Sequence, residues 1–235
     1  MNIRQARLLQ AIIDQFIESA IPVGSKKLLE SAEFSVSSAT IRSEMSELEE
    51  LGFLEQPHVS AGRIPTVKGY RLYVKEFMKP TEHERAVRLR FNDLKEEYFA
   101  HKDKERVYES VALLANMMPN VAFATVPHRE RVYYLGLANA VRQPEFQADA
   151  QMVSGVVEVL EKRLTDVISK VELTDEVQHY IGDKDLCPEF QSCSMLLTKY
   201  RVRDEVGAIG ILGPVRMDYG YNSVALDMIA SLIRD

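Results

Sequence analysis

The stretch Ser35-Val36-Ser37-Ser38-Ala39-Thr40-Ile41-Arg42-Ser43-Glu44-Met45-Ser46-Glu47-Leu48-Glu49-Glu50-Leu51-Gly52 narrows what this chain can fold into more than any other. Its serines can cap a helix by accepting bonds from backbone N–H groups that lack an intrahelical partner, and Gly52 can take the left-handed conformation that ends one. At about 100° per residue, Ile41, Met45 and Leu48 share one face. Ala39, Ser43, Ser46 and Glu50 point the other way, flanked by Thr40, Arg42 and Glu47. Surface helices favour long Lys, Glu and Gln side chains rather than Ser and Ala. Short side chains let a helix approach a surface closely, and the major groove of DNA is such a surface. There hydroxyls bond base edges or phosphates, alanine touches a thymine methyl, and arginine reaches guanine or a phosphate. Glu47, Glu49 and Glu50 crowd the far end, so the N-terminal turns, with their positive dipole, would enter first. Taken alone, the stretch favours an ordinary solvated amphipathic helix, the commoner kind; its neighbours tip the balance.

Upstream, Leu8, Leu9, Ile12, Ile13, Phe16 and Ile17 recur at helical spacing until Pro22 stops the pattern. Gly24-Ser25 makes a turn and a cap, and Lys26 to Ser31 gives a short helix around Leu28 and Leu29. Three short helices ending in the candidate reader make a helix-turn-helix plan. Downstream, Phe53 to Thr66 reads as a strand, a Pro/Gly-punctuated turn and a second extended piece, a hairpin that would serve as a wing. Arg63 sits beside Gly62, where backbone can approach a partner closely, and is the candidate for a minor-groove or phosphate contact.

The net charge of −6 argues against a wholly basic nucleic-acid coat. Residues 1–80 are nevertheless balanced, and all the excess acid lies in 81–235. The two cysteines, Cys187 and Cys193, give neither a disulfide framework nor a four-ligand metal spacing. No signal peptide is expected, since Met1 runs directly into the charged, amphipathic Asn2-Ile3-Arg4-Gln5, and the longest uncharged run, from Ser110 to His128, is broken by Asn116, Pro119 and Asn120. A soluble, cytoplasmic protein without metal, cofactor or membrane partner is expected. Catalysis is not. The five histidines form no metal-binding pair, Gly207 to Gly213 lacks the Lys-Ser/Thr of a phosphate loop, and Cys187 or Cys193 with His179 reads as small semi-buried thiols and a strand histidine.

After the hairpin, Thr66 can cap a helix to Met78. A long helical region from Glu82 to about Met117 is either a connector able to pack on its twin or a packed intradomain helix. Pro119 opens a second domain. Strand-like runs Val121 to Val126 and Arg131 to Leu137 flank a turn at 127–130, and a helix starts at Pro144 and reaches about Val171. Further strands follow at Val177 to Ile181, Ser192 to Val202 and Val206 to Leu212, with a closing helix from Tyr221 to Arg234. The expected class is α+β, with domains at 1–80, 81–118 and 119–235.

Pro22-Val23-Gly24-Ser25-Lys26, Val36 to Arg42, Leu48 to Gly52, Gln56-Pro57-His58 with Ser60 to Thr66, and Lys68-Gly69-Tyr70-Arg71 with Tyr73-Val74 resemble the heat-inducible transcription repressor family, HrcA. Further along, Pro144-Glu145-Phe146, Tyr180-Ile181-Gly182, Cys193-Ser194, Gly207 to Pro214 and Arg216 to Tyr219 resemble that family's C-terminal, GAF-like domain. The family pattern places a long stretch, including an inserted dimerising domain, before the Pro-Glu-Phe helix; here only residues 127–143 separate the first strand from it. The resemblance implies a winged helix-turn-helix repressor that binds an inverted DNA repeat upstream of chaperone genes as a homodimer, with the chaperonin GroEL as a partner. The expected DNA contacts are Ser37, Ser38, Thr40, Arg42 and Ser43 in the groove, Arg63 on the wing, and Lys26, Tyr70 and Arg71 on phosphates. The alternative is a regulator whose GAF-like domain senses a small molecule.

Overall fold

Asn2 starts the first helix. Its side chain accepts from the Gln5 N–H at 2.9 Å while the Gln5 side chain accepts from the Asn2 N–H at 2.8 Å, a reciprocal cap that launches α1 (Ile3–Ser19). The computed structural model describes residues 1–30, 34–99, 106–126, 131–202 and 205–233, and they fall into two units, Met1–Met78 and Lys79–Asp235.

In the first unit α2 (Ser25–Glu30) and α3 (Ser38–Glu50) follow α1. Gly52, at φ +75°, turns the chain out of α3 as expected. Then β1 (Leu54–Glu55) pairs antiparallel with β2 (Ile64–Pro65), and Thr66 caps α4 (Val67–Glu76) by accepting from the Gly69 N–H at 3.1 Å. Leu8, Ile12, Ile41, Leu48 and Leu54 are fully or almost fully buried, so the apolar stripe of α1 meets that of α3 and the hairpin. The chain after α1 joins the hairpin too: Val23 and Arg63 exchange two backbone bonds of 2.9 Å.

In the second unit, β3 (Val121–Val126), β4 (Arg131–Leu135), β5 (Gln178–Ile181), β6 (Cys193–Val202) and β7 (Glu205–Pro214) form an antiparallel sheet in the order β4-β3-β7-β6-β5. Alternation along the strands sends Phe123, Met195, Leu197 and Leu212 into one core with Val156, Leu160, Leu164 and Phe190. The intervening residues, among them Leu196, Ile209 and Ile211, are equally buried and face the opposite way. The sheet packs there against α6 (Arg106–Met117) and α11 (Tyr219–Ile233), with α5 (Pro80–Phe99) beside them. Of the described residues in 81–118, Val87, Val111 and Leu114 are buried in this unit, as the packed alternative requires.

The helix expected to run unbroken from Pro144 is divided. A short α7 (Leu137–Ala140) precedes α8 (Pro144–Ala148), α9 (Ala150–Glu158), a widened turn at Val159–Arg163 and α10 (Leu164–Ser169). Asp149 causes the break: its carboxylate accepts from the Gln151 and Met152 N–H groups, at 2.9 and 3.2 Å, and so caps a new helix. Gly210 leaves room for the Phe123 ring, which a Cβ would meet at 2.5 Å, so the glycine run of β7 serves sheet packing. The turn expected at 127–130 lies outside the described residues.

Candidate nucleic-acid interface

Helix α3 presents two unlike sides. Ile41, Met45 and Leu48 are buried, while Ser37, Ala39, Arg42, Ser43 and Ser46 are exposed. Ser37 caps the helix by accepting from the Thr40 N–H at 3.1 Å, and its hydroxyl also shares a 2.9 Å bond with that of Thr40. Ser38 shares a 2.9 Å bond with Ser25 at the start of α2. Half-buried Ser38 thus ties the start of α3 to that of α2, half-buried Thr40 bonds the cap, and Ser37, Arg42 and Ser43 form the outward edge. The Arg42 guanidinium lies back along its own helix, donating to the Ser38 carbonyl at 3.3 Å, and stays exposed.

The acids of α3 would repel phosphates if left bare. Three of the four are answered from elsewhere in the first unit. Glu44, buried, is ion-paired with Arg4; Glu47 accepts from the Gln5 side chain at 2.6 Å; Glu49 meets Arg63 at 2.9 Å. Only Glu50 is both exposed and without such a partner among the contacts described. Sequence spacing does not show these pairings, since Arg4 and Gln5 lie some forty residues upstream of their partners.

Two expected contacts need correction. Tyr70 is 2 % exposed, because it belongs to the apolar side of α4, and cannot reach a phosphate. Arg63 is neither free nor open: its side chain is 15 % exposed and faces Glu49. The close approach that Gly62 permits is to the chain itself, where a Cβ would lie 2.4 Å from the Val23 carbonyl. Lys26 and Arg71 are exposed, as is Lys27, which nothing in the spacing distinguishes from Lys26. Lys68 serves the fold, donating to the Leu51 carbonyl at 2.7 Å beyond the end of α3 and lying 4.6 Å from the centre of the Phe53 ring.

In the second unit the candidate nucleophiles are held neutral. Burial pushes the Cys187 thiol up to about 11 and the Cys193 thiol up to about 12, and the Cys187 S–H donates to Glu189 at 2.8 Å. Burial also pushes His179 down to about 4, and its Nε2 shares a 2.8 Å bond with the Ser223 hydroxyl. A cleft of about 540 Å³ is lined by Met117, Met118, Arg90 and Gln143 among others. Two of its polar groups are engaged by backbone: Arg90 donates to the Asn116 carbonyl at 3.2 Å, and the Gln143 amide to the Pro119 carbonyl at 2.6 Å. Among the described residues no helix is long and apolar enough to cross a membrane.

Comparison with known proteins gives the chain a family. The heat-inducible transcription repressor HrcA of Brevibacillus brevis (strain 47 / JCM 6285 / NBRC 100599) is 28% identical over 328 positions, covering 97% of this chain and 95% of the relative. That of Symbiobacterium thermophilum is also 28% identical, covering 97% and 96%. Because 328 aligned positions exceed the 235 residues here, at least 93 positions of the first relative (328 less 235) have no counterpart in this chain. A crystal structure of a hypothetical protein at 2.2 Å resolution shares the fold with a TM-score of 0.77 at 17% identity, covering 99% of this chain and 96% of that one. The family model for the HrcA protein C terminal domain matches residues 82–221, more than half of the sequence, and the chain belongs to the HrcA family.

Proposed function

We propose that this protein is a transcription repressor that reads DNA in sequence-specific fashion, as a homodimer on an inverted repeat upstream of chaperone genes. On this reading the first unit is a winged helix-turn-helix module: α2 and α3 form the helix pair, and the β1–β2 hairpin is the wing. The second unit is a GAF-like regulatory and dimerisation domain. The observation that carries the reading is the outer side of α3, where Ser37, Ala39, Arg42 and Ser43 stand exposed while Glu44, Glu47 and Glu49 are answered by the chain itself. Small side chains permit groove entry, and quenched carboxylates remove the main electrostatic obstacle to it. Ser37, Arg42 and Ser43 face the bases, Ser38 and Thr40 hold the leading turn in shape, and Lys26 and Arg71 take phosphates.

The relatives are named as heat-inducible transcription repressors, which supports repression as the activity and the cytoplasm as its place. Dependence on GroEL follows from the family resemblance alone. A two-fold dimer is proposed because one module binds too weakly against the excess of non-specific sites. A ligand-sensing role has less support, since two of the polar side chains lining the cleft in the second unit, Arg90 and Gln143, are turned to backbone carbonyls.

The test is to enrich duplexes from a randomised pool with the full chain and then measure mass in solution with and without the enriched duplex. Two chains per duplex, on a sequence with an inverted repeat, is the expected result. No enrichment, or one chain per duplex, would contradict it.

A further inference from the structure

The loop between β1 and β2 holds an exposed apolar side chain on a fixed backbone. Val59 is 97% exposed, and Pro57, His58 and Ser60 around it are exposed as well. Scattered surface valines need no explanation; one held out on a braced turn does. The Gln56 side-chain amide donates to the carbonyls of Val59 at 3.0 Å and Ala61 at 2.9 Å, and the Ala61 N–H donates to the His58 carbonyl at 2.8 Å. Next in the chain, Gly62 packs against the Val23 backbone and Arg63 is bonded to it.

Residues 56–62 contain no Lys, Arg, Asp or Glu, and the nearest cation in sequence, Arg63, is turned to Glu49. A wing that gripped phosphates through ion pairs would carry Lys or Arg at its tip. This one offers a rigid branched hydrocarbon, the kind of group that packs on deoxyribose walls and base edges in a minor groove. Through the Arg63–Glu49 pair the hairpin is also tied to α3, so the tip and the proposed reading helix are held by one framework.

We infer that Val59 is an affinity-determining contact that seats in the minor groove of the bound duplex, making an apolar rather than an ionic contact. The inference rests on the DNA-binding reading of the first unit. Preorganisation by Gln56 lowers the entropy cost of that contact.

The experiment compares the full chain with its Val59→Ala variant on the duplex enriched by the wild type, at several salt concentrations, alongside thermal unfolding. Loss of two methyl groups from a buried contact should weaken binding about three- to ten-fold. The salt slope should not change, because no phosphate contact is lost, and the unfolding midpoint should stay put. Wild-type affinity, or a loss accompanied by a shallower salt slope, overturns the inference. If the wild type enriches no duplex at all, the DNA-binding reading fails first and takes this contact with it.

Discussion

Arg63 of the hairpin and Glu49 of α3 meet at 2.9 Å, so the side chain best placed by sequence to touch DNA instead quenches a carboxylate on the neighbouring helix. Its backbone does a second job by pairing with Val23. Arg63→Met should therefore weaken binding to every duplex alike, about five-fold at low salt, by baring Glu49. The double variant Arg63→Met/Glu49→Gln should recover most of that loss in equilibrium binding. A direct phosphate contact by Arg63 would show no such recovery.

Arg42 and Lys26 are both exposed, and on the proposed reading one faces bases and the other phosphates. Arg42→Ala should lose roughly 1–3 kcal/mol of discrimination between enriched and scrambled sequences, whereas Lys26→Ala should weaken both equally and reduce the salt slope by about one. Competition binding across salt concentrations separates the two. Equal losses on both sequences for Arg42→Ala would remove it from the base-reading set.

Gly62 is a packing requirement. A Cβ there would lie 2.4 Å from Val23 backbone atoms, whereas a Cβ at Gly24 meets nothing within 4 Å. Gly62→Ala should destabilise the first unit by about 2 kcal/mol or more, since backbone must move to admit it, and Gly24→Ala far less. Denaturant unfolding of the two variants measures the difference; equal stabilities would contradict the packing described.

His179 should make the second unit sensitive to acid. Its folded value, about 4, lies below the ordinary 6.5 because burial disfavours the charged ring. Between those values the unfolded chain binds the proton and the folded chain does not, so stability falls as pH drops from 6.5 towards 4, by on the order of 2–3 kcal/mol. His179→Gln should flatten that part of the profile of unfolding free energy against pH. An unchanged slope in the variant would assign the acid sensitivity to other groups.

Local patterns were the legible part. A serine cap, which the structure assigns to Ser37, Gly52 as helix stop, the Ile41, Met45 and Leu48 stripe and the strand Val121–Val126 all follow from rules that act within a few residues, and the structure has them where those rules place them. Long-range pairing was not legible. Tyr70 looks like a phosphate ligand until α4 is seen to bury it, and Arg63 looks free until α3 is set beside the hairpin. The division of the helix after Pro144 had a visible signal in Asp149, a good cap within an otherwise helical run.

Ser43 offers the sharpest test of the reading helix. It is exposed on the outer side of α3, so Ser43→Glu leaves the core untouched while placing a carboxylate where the groove would lie. Equilibrium binding of this variant to the duplex enriched by the wild type should be weakened at least ~30-fold with an unchanged unfolding midpoint, because like charges facing each other across an interface cost several kcal/mol. Wild-type affinity in Ser43→Glu would contradict the account, since α3 would then not be the element that enters DNA.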